Sequence, residues 1–403
     1  MGFKTGETIL CTQPLVQVLY SNWKGKRCDY CFKAGPVRKC MKCQFVFYCN
    51  VECQRNDWNP CHKIECRCKF HEILNDFVDC METRGCPKWK TAQIQLIFRY
   101  MTKIKLDAKV GTKEYNLPYG KRLKLSDVKL KRDLSKGSLI LRTASIWSRL
   151  AAFPNIRNIF GSSGSLFYNA VSIIDRFQIR ITDTSLSIYE LSAEETLLGE
   201  GFYPELMTFE HSCLPNAAFT FDGTVVSLQA LSDVECDEVR INYTDVVGSP
   251  QGMLLPTKVR CENLILRGIE CNCKLCENDT IWKDKDYVNL MRGLTILSKG
   301  ELEFAESHVS AISHGIDKIQ SKFGKFHPTI TLMLYRMAYY QIVKQKWTEA
   351  VITIDKLIDA IAITHPNETK ECVAQLSVLK EALLEADKKT IELNAIDLFK
   401  KRF

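Results

Sequence analysis

The chain has 403 residues, of which 46% are hydrophobic and 25% are charged, and its net charge is +8. This length predicts two to four domains. No stretch approaches the roughly 18 uncharged apolar residues that a transmembrane helix needs, so no membrane partner is expected. The first ten residues contain Lys4 and Glu7 and lack an apolar signal-peptide core, which predicts a reducing compartment.

Four closely spaced pairs of metal-binding residues lie between residues 28 and 66. Zinc binds thiolates and imidazoles in closed tetrahedral sites, and a spacer of two or three residues lets both members of a pair reach one ion. The pairs therefore predict two zinc sites. A disulfide framework is the alternative, which the expected reducing compartment disfavours. The pairs are Cys28 with Cys31, Cys40 with Cys43, Cys49 with Cys53, and His62 with Cys66.

These pairs can be used sequentially or in an interleaved order. The intervening residues favour interleaving, which gives a cross-braced module whose core is too small to fold without metal. Cys61 adjoins His62 and is a competing ligand, which we rank lower because His62 begins the last pair. One ion is then assigned to Cys28, Cys31, Cys49 and Cys53, and the other to Cys40, Cys43, His62 and Cys66.

The segment from Cys28 to Cys66 resembles a MYND zinc finger. The resemblance rests on Phe47-Tyr48-Cys49, Cys53-Gln54, Trp58 and His62-Lys63. MYND fingers are protein-interaction modules that dock short, often proline-containing peptides, so the resemblance implies short peptide partners.

Residues 69–160 are predicted to be mostly helical, and basic residues concentrate in this part of the chain. A histone or nucleic-acid contact is the functional interpretation of that charge, and simple solvation is the alternative. The MYND spacing provides no base-reading helix, so nucleic-acid regulation is kept only as a third functional class. The basic residues are Lys103, Lys105, Lys109, Lys113, Lys121, Arg122, Lys124, Lys129, Lys131, Arg132 and Lys136, against Asp107, Glu114, Asp127 and Asp133.

A second set of cysteines predicts a further metal site downstream. Cys271, Cys273 and Cys276 supply three thiolates, and a zinc site needs one more donor. Cys213 is the candidate, and Pro215 and Asn216 mark an irregular turn beside it. The other eight cysteines are interpreted as small buried hydrophobic residues.

With this pairing, most of the chain resembles the SET and MYND domain (SMYD) family of protein-lysine methyltransferases. The matching motifs are Lys4-Thr5-Gly6-Glu7-Thr8-Ile9-Leu10, Gly199-Glu200-Gly201-Phe202-Tyr203-Pro204 and Glu210-His211-Ser212-Cys213-Leu214-Pro215-Asn216. The resemblance implies an α+β fold, in which a two-zinc MYND finger splits a β-rich SET domain. A post-SET zinc site and a C-terminal all-α TPR-like domain follow.

The resemblance also implies a division of the chain into six segments. They are a truncated N-terminal SET segment at 1–27, the MYND finger at 28–66, a helical insert at 67–170, the core SET domain at 171–248, the post-SET zinc region at 249–280 and the helical tail at 281–403. The pattern predicts strands at Thr224–Leu231 and Val239–Tyr243.

In this family a lysine enters a narrow tyrosine-lined channel beside S-adenosylmethionine, so Tyr243 and Tyr203 are the implied catalytic residues. Glu210, His211, Asp175 and Ile269 fall at implied cofactor-binding positions. Three of these depart from the family pattern, because Glu210 and Asp175 replace asparagines and Ile269 replaces an aromatic residue that stacks on adenine. The chain also starts beyond the family's Arg-Gly-x-Gly-Leu turn.

The region from about residue 283 to the end is predicted to form repeated helix pairs. His327-Pro328 and His365-Pro366 each place a proline where a helix can begin, about forty residues apart. One interpretation is a TPR-like stack that offers a surface to a peptide or a chaperone. The other is a plain bundle that closes the SET domain.

The predicted function is S-adenosylmethionine-dependent N-methylation of lysine in histone or non-histone proteins, in chromatin and transcription regulation. The alternative is an inactive SET scaffold that acts as an adaptor through its MYND finger and helical tail. Three zinc ions and S-adenosylmethionine are the implied cofactors. The family implies both nucleus and cytoplasm as locations.

Overall fold

The computed structural model describes residues 2–82, 91–107, 114–116, 122–125, 144, 146–183, 197–243, 256–267, 269–277, 302–366 and 369–385. Its strands are β1 Gly2–Phe3, β2 Thr8–Thr12, β3 Val16–Leu19, β4 Arg38–Lys39, β5 Phe47–Tyr48, β6 Glu114–Asn116, β7 Arg122–Lys124, β8 Gln178–Thr182, β9 Leu197–Phe202, β10 Glu210–His211, β11 Ala217–Asp222, β12 Val225–Ala230, β13 Val234–Glu235 and β14 Arg240–Ile241.

The helices lie in the zinc finger, in and just after the insert that follows it, in the post-SET region and in the tail. They are α1 Val51–Asp57, α2 Lys63–Arg67, α3 Phe70–Glu82, α4 Thr91–Leu106, α5 Pro154–Phe160, α6 Ser165–Phe177, α7 Thr257–Leu266, α8 Lys274–Glu277, α9 Leu302–Phe323, α10 Pro328–Val343, α11 Trp347–Thr364 and α12 Thr369–Glu385. A π-helical turn, Trp58–His62, joins α1 to α2. Residues 146–150 are also helical.

Two small antiparallel sheets bring the start of the chain together with strands from its middle. One has the order β11-β12-β2, with Leu228 opposite both Leu10 and Phe219. The other has the order β3-β9-β8, with Glu200 opposite both Val18 and Arg180. Because β2 and β3 precede the cysteine-rich finger and their partners follow it, the finger interrupts one β-rich domain.

Two glycines show how closely the finger approaches this domain. A Cβ atom on Gly199 would lie 2.1 Å from the Val18 carbonyl oxygen and 2.8 Å from the ring of Phe32, a fully buried residue of the finger. Gly223 turns the β11–β12 hairpin with a φ of +61°, and a Cβ there would lie 2.1 Å from the Cys31 carbonyl oxygen. Both positions therefore require glycine for steric reasons.

The tail forms its own hydrophobic core and covers one sheet. Helices α9 to α12 pack mainly against their neighbours in sequence, while α10 and α11 also contact β11 and β12. Helix α10 begins at Pro328, and the His327 side chain caps it by accepting a hydrogen bond from the Thr329 amide. Ile269 packs against the cores of both the tail and the β-rich domain.

These features confirm the α+β class, with a finger and a C-terminal helical domain. The insert contains the β6–β7 hairpin besides its helices, and α6 spans residue 170. Two local predictions were wrong. The predicted strand at 239–243 is reduced to Arg240–Ile241. Pro366 lies in a turn, and the next helix begins at Thr369.

Other predictions about single residues had mixed outcomes. Of the non-ligand cysteines, Cys61, Cys68 and Cys372 are buried, but Cys11 is exposed and Cys236 and Cys261 are half-buried. The side chains of Cys80 and Cys86 lie outside the described part of the chain. Among the described residues, no helix is long and apolar enough to cross a membrane.

Only four members of the basic cluster fall within the described chain. Lys103 and Lys105 lie on α4, and Arg122 and Lys124 on β7 pair with Glu114 at 2.9 and 3.3 Å. Lys109, Lys113, Lys121, Lys129, Lys131, Arg132 and Lys136 lie outside it.

Candidate metal centres and active site

The first predicted ligand set of the finger is assembled in the structure. The ligand atoms of Cys28, Cys31, Cys49 and Cys53 all lie within 4.8 Å of one another. Asn50 caps α1 by accepting a hydrogen bond from the Cys53 amide at 2.8 Å, which fixes Cys53 in the first helical turn.

The second set also matches the interleaved order. The ligand atoms of Cys40, Cys43, His62 and Cys66 lie within 4.8 Å of one another, and Nε2 of His62 faces the Cys43 sulfur at 3.6 Å. The buried Cys61 sulfur instead contacts the Arg99 carbonyl oxygen at 3.8 Å, so the structure favours His62 as the ligand.

A buried ion network behind the second set attaches the finger to the insert. Arg99, on α4, donates to both carboxylate oxygens of Glu65, at 2.9 and 2.8 Å, and to Asp57 at 3.2 Å. It also donates to the Gln17 carbonyl oxygen on β3 at 2.8 Å. The Glu65 carboxylate lies 3.7 Å from Nδ1 of His62. Carboxylates placed behind a ligating histidine orient its ring.

Burial would raise the pKa of Glu65, but the charge of Arg99 outweighs it, so the pKa lies well below its usual range. The carboxylate is therefore ionised behind the second ligand set. Sequence patterns did not reveal this pair, because Glu65 and Arg99 are 34 positions apart.

The third predicted set joins the β-rich domain to the post-SET region. Cys213 follows β10, and its sulfur lies 3.9 Å from that of Cys271 and 3.6 Å from that of Cys276. Cys273 completes a group whose ligand atoms lie within 4.8 Å of one another. A fifth sulfur, that of Cys261 on α7, lies 4.0 Å from the Cys276 sulfur and was not assigned to this site from the sequence.

Tyr243 is buried, and its hydroxyl is held at a fixed position. The hydroxyl donates to the carbonyl oxygens of Leu206 and Phe209, at 2.8 and 3.1 Å. The centre of its ring lies 6.1 Å from that of Phe177 and 6.3 Å from that of His211. Burial raises the pKa of Tyr243 above its usual range, so the hydroxyl keeps its proton at neutral pH.

Tyr203 occupies a different environment. It is fully buried and its hydroxyl donates to the Thr224 carbonyl oxygen at 2.7 Å, which is a structural contact between β9 and the β11–β12 turn. Its predicted place in a substrate channel stays a prediction.

The predicted cofactor residues differ in their exposure and in their hydrogen-bond or ion-pair partners. Glu210 is exposed and pairs with Arg240 across the parallel β10–β14 pair at 3.1 Å, which turns its carboxylate toward solvent. Asp175 lies near the end of α6, where its Oδ1 accepts a hydrogen bond from Gln93 at 2.6 Å. His211 is half-buried, and burial lowers its pKa to about 4.

Arg267 is a charged residue near this site that the sequence did not single out. Its Nη1 donates to the Gln178 carbonyl oxygen at 3.1 Å. Burial lowers the pKa of Arg267, and the negative charges of Glu200 and Asp175 oppose that shift. Asp175 and Arg267 are therefore oppositely charged groups near this site.

This donor set is chemically compatible with S-adenosylmethionine. The amino-acid end of that cofactor carries an ammonium and a carboxylate, which Asp175 and Arg267 match in charge. Ile269 offers an apolar, half-buried surface without an aromatic ring. Glu210 is the member that fits least, because its carboxylate is exposed and paired.

These observations define a class of protein: a β-rich core that is split by a zinc finger with two ligand sets, and that is followed by a third cysteine cluster and a C-terminal helical domain. Comparison with known proteins agrees with this class. Residues 28–66 match the family model described as MYND finger.

Relatives match far beyond the finger. N-lysine methyltransferase SMYD2-A of Danio rerio is 25% identical, with 98% of this chain and 87% of the relative covered. N-lysine methyltransferase SMYD2 of Homo sapiens is 28% identical, with 70% of this chain and 57% of the relative covered. Histone-lysine N-methyltransferase ASHR1 of Arabidopsis thaliana is 27% identical, with 68% and 51% covered. The MYND match and these similarities, which extend over most of the chain, support membership of the SMYD family.

Proposed function

We propose that this protein transfers methyl groups from S-adenosylmethionine to lysine side chains of proteins. The observation that carries the proposal is the position of Tyr243, which is buried, held by two carbonyl oxygens and placed between Phe177 and His211. The names of the relatives, which are lysine methyltransferases, support the same activity.

Bound S-adenosylmethionine supplies an activated methyl group, which a neutral lysine amine accepts by in-line displacement. The contribution of the protein is to position and desolvate the reacting groups. Tyr243 does not act as the base, because burial favours its protonated form. Its hydrogen is directed to Leu206 and Phe209, so the oxygen lone pairs remain to accept a hydrogen bond from the amine and orient it.

The charged residues around Tyr243 would hold the cofactor. Asp175 would attract its ammonium group and Arg267 its carboxylate, while the backbone of His211 would contact the adenosine part. Ile269 would pack against the adenine without the additional stacking that an aromatic residue gives, which amounts to about 1 kcal/mol.

The finer aspects of the function are also proposals. Three zinc ions would occupy the three ligand sets. The substrates would be histone or other proteins, in chromatin and transcription regulation, and the protein would act in the nucleus and the cytoplasm. The MYND finger would dock short peptides, and the tail would bind a peptide or a chaperone.

Transfer of radiolabelled methyl groups to peptide arrays tests this function. Tritiated S-adenosylmethionine, the zinc-loaded protein and an array of histone and non-histone lysine peptides should give label on lysine peptides and none on matched peptides with arginine in place of lysine. Tyr243→Phe should reduce transfer by about a hundredfold, the cost of a small misplacement of reacting groups. Tyr30→Phe, in the finger, is the matched control. Equal transfer by Tyr243→Phe and the wild type would contradict the proposal.

A second candidate is an adaptor that retains the SET fold without catalysis. The exposed, ion-paired Glu210 and the aliphatic Ile269 favour it, because both weaken the expected hold on the cofactor. Such an adaptor would bind peptides through the finger while failing to bind S-adenosylmethionine. Nucleic-acid binding is the third class, and steep salt dependence of binding to random duplex DNA would support it.

A further inference from the structure

The imidazole of His211 contacts both the third cysteine cluster and the backbone of the proposed catalytic tyrosine. Its Nδ1 accepts a hydrogen bond from the Tyr243 amide at 3.1 Å. Its Nε2 lies 3.4 Å from the sulfur of Cys213. One side chain therefore spans the distance between a metal ligand and Tyr243.

The direction of these two contacts follows from the chemistry of the partners. A backbone amide can only donate, so Nδ1 of His211 carries no proton and the ring proton lies on Nε2. Nε2 then donates toward the Cys213 sulfur, which accepts as a zinc-bound thiolate. Residues that hydrogen-bond to a metal ligand orient that ligand and tune the metal site.

The local backbone places His211 between these partners. Strands β10 and β14 pair in parallel, with His211 opposite Ile241, and the Ser212 amide donates to the Ile241 carbonyl oxygen at 3.0 Å. Tyr243 follows Ile241 by two positions, and Cys213 follows His211 by two. Both lie just beyond the ends of β10 and β14, next to the ring of His211.

The hydroxyl of Tyr243 is fixed independently of these contacts. It is anchored on the carbonyl oxygens of Leu206 and Phe209, in and just after the turn Pro204–Thr208. His211 therefore acts at the other end of Tyr243, on its backbone amide. Both anchors are needed to fix the position of the ring relative to a substrate.

We propose that His211 is a positioning residue that couples the third zinc site to Tyr243. This inference rests on the methyl-transfer function proposed above, but the coupling itself is a property of the fold. Loss of metal from the cluster of Cys213, Cys271, Cys273 and Cys276 would release Cys213 and loosen His211. The amide of Tyr243 would then lose its partner.

Three substitutions separate the two contacts of the ring. In His211→Asn the side-chain oxygen can replace Nδ1 and keep the bond to Tyr243, while the contact with Cys213 is lost. In His211→Gln the side-chain amide nitrogen can replace Nε2 and keep the contact with Cys213, while the bond to Tyr243 is lost. His211→Ala removes both. Circular dichroism of each variant establishes that it is folded.

Hydrogen exchange of the Tyr243 amide measures its hydrogen bond to Nδ1 of His211 and requires no enzymatic activity. It is followed by NMR after selective labelling of tyrosine with nitrogen-15. We expect exchange to be about five- to tenfold faster in His211→Gln and His211→Ala, as for the loss of one hydrogen bond, and unchanged in His211→Asn. Equal protection in His211→Ala and the wild type would overturn the proposal.

The rate of zinc loss to a chelator measures the effect of the contact between Nε2 of His211 and the Cys213 sulfur. Affinity of the third site should fall by about 10- to 100-fold in His211→Asn and His211→Ala, as for other lost outer partners of a metal site, but not in His211→Gln. Removal of that zinc from the wild type should also accelerate exchange of the Tyr243 amide. Unchanged exchange after zinc removal would contradict the coupling.

Two further measurements, of the His211 tautomer and of methyl-transfer kinetics, complete the test. The nitrogen-15 shifts of His211 in the wild type should show the proton on Nε2, which tests the geometry even where a variant fails to fold. A proton on Nδ1 would overturn the proposal. In methyl transfer, His211→Gln should lower kcat with little change in KM for S-adenosylmethionine. If the wild type transfers no methyl group, the proposed function fails while the exchange results still decide the coupling.

Discussion

Arg99 and Glu65 form a buried pair with two hydrogen bonds, of 2.9 and 2.8 Å, between helix α4 of the insert and helix α2 of the zinc finger. Both side chains are at least 95% buried. Because Glu65 also lies 3.7 Å from the ligating His62, the pair connects a metal site to the β-rich domain. The finger and the insert should therefore fold as one unit.

Substitution of Arg99 tests that connection. Arg99→Ala leaves Glu65 and Asp57 buried without a counter-charge, so we expect the free energy of unfolding to fall by about 3–5 kcal/mol. Urea denaturation monitored by fluorescence measures the change. Arg38→Ala, at an exposed finger residue, should change it by less than about 0.5 kcal/mol. A loss of similar size in both variants would show that the network has no special role.

The third cysteine cluster gives a prediction on metal content. Cys276→Ser should remove one zinc ion per chain, because Cys276 is one of the four cysteines proposed to hold zinc at that site. Cys261→Ser should keep the full zinc content, although its sulfur lies only 4.0 Å from that of Cys276. Elemental analysis by mass spectrometry measures both. Zinc loss in Cys261→Ser would make Cys261 a ligand.

We predict that the hydrogen bonds between Asp233 and the start of the chain resist acid. It accepts hydrogen bonds from the Lys4 side chain at 2.7 Å and from the Thr5 amide at 2.9 Å, which lower its pKa to about 2 from the ordinary 3.8. A depressed acid pKa means that these bonds are present in full above pH 3.8 and are lost as the pH falls toward 2.

An NMR titration checks this prediction. The carboxyl carbon signal of Asp233 should stay constant between pH 7 and pH 4 in the folded protein, since the group remains ionised there. The exposed Asp237, which no described salt bridge engages, is a reference in the same spectrum. A midpoint for Asp233 at or above 3.8 would contradict the account.

Ile269 gives a prediction of improved binding. Ile269→Phe should strengthen binding of S-adenosylmethionine by about tenfold at most, because stacking of an aromatic ring on adenine adds about 0.5–1.5 kcal/mol. Ile269→Leu keeps the volume without the ring and should leave the affinity unchanged. Calorimetric titration measures both variants. If the Ile269→Phe and Ile269→Leu variants bind S-adenosylmethionine with equal affinity, the adenine does not lie against residue 269.

Sequence patterns were sufficient where the chemistry is local. Short spacers between ligands, such as Cys40 to Cys43, identify metal pairs because two ligands must reach one ion. The proline after His327 predicted the start of α10 because proline fits the first helical turn. Both features depend on residues that are close together in the chain.

The remaining features depend on contacts between distant parts of the chain. Nothing in the spacing indicates that Arg99 meets Glu65, or that Cys261 approaches Cys276. The β6–β7 hairpin lies in a stretch that was predicted to be mostly helical, and helix propensity is a weak guide when tertiary contacts decide. The link from His211 to Tyr243 likewise arises only when β10 and β14 pair.

The most direct test of the proposed function is calorimetric titration of S-adenosylmethionine into protein whose zinc content has been measured. The account predicts binding of one molecule per chain in the micromolar range, weakened by Asp175→Ala and Arg267→Ala but not by Arg38→Ala. No detectable heat from a folded protein with all three zinc ions would contradict methyl transfer and favour the adaptor.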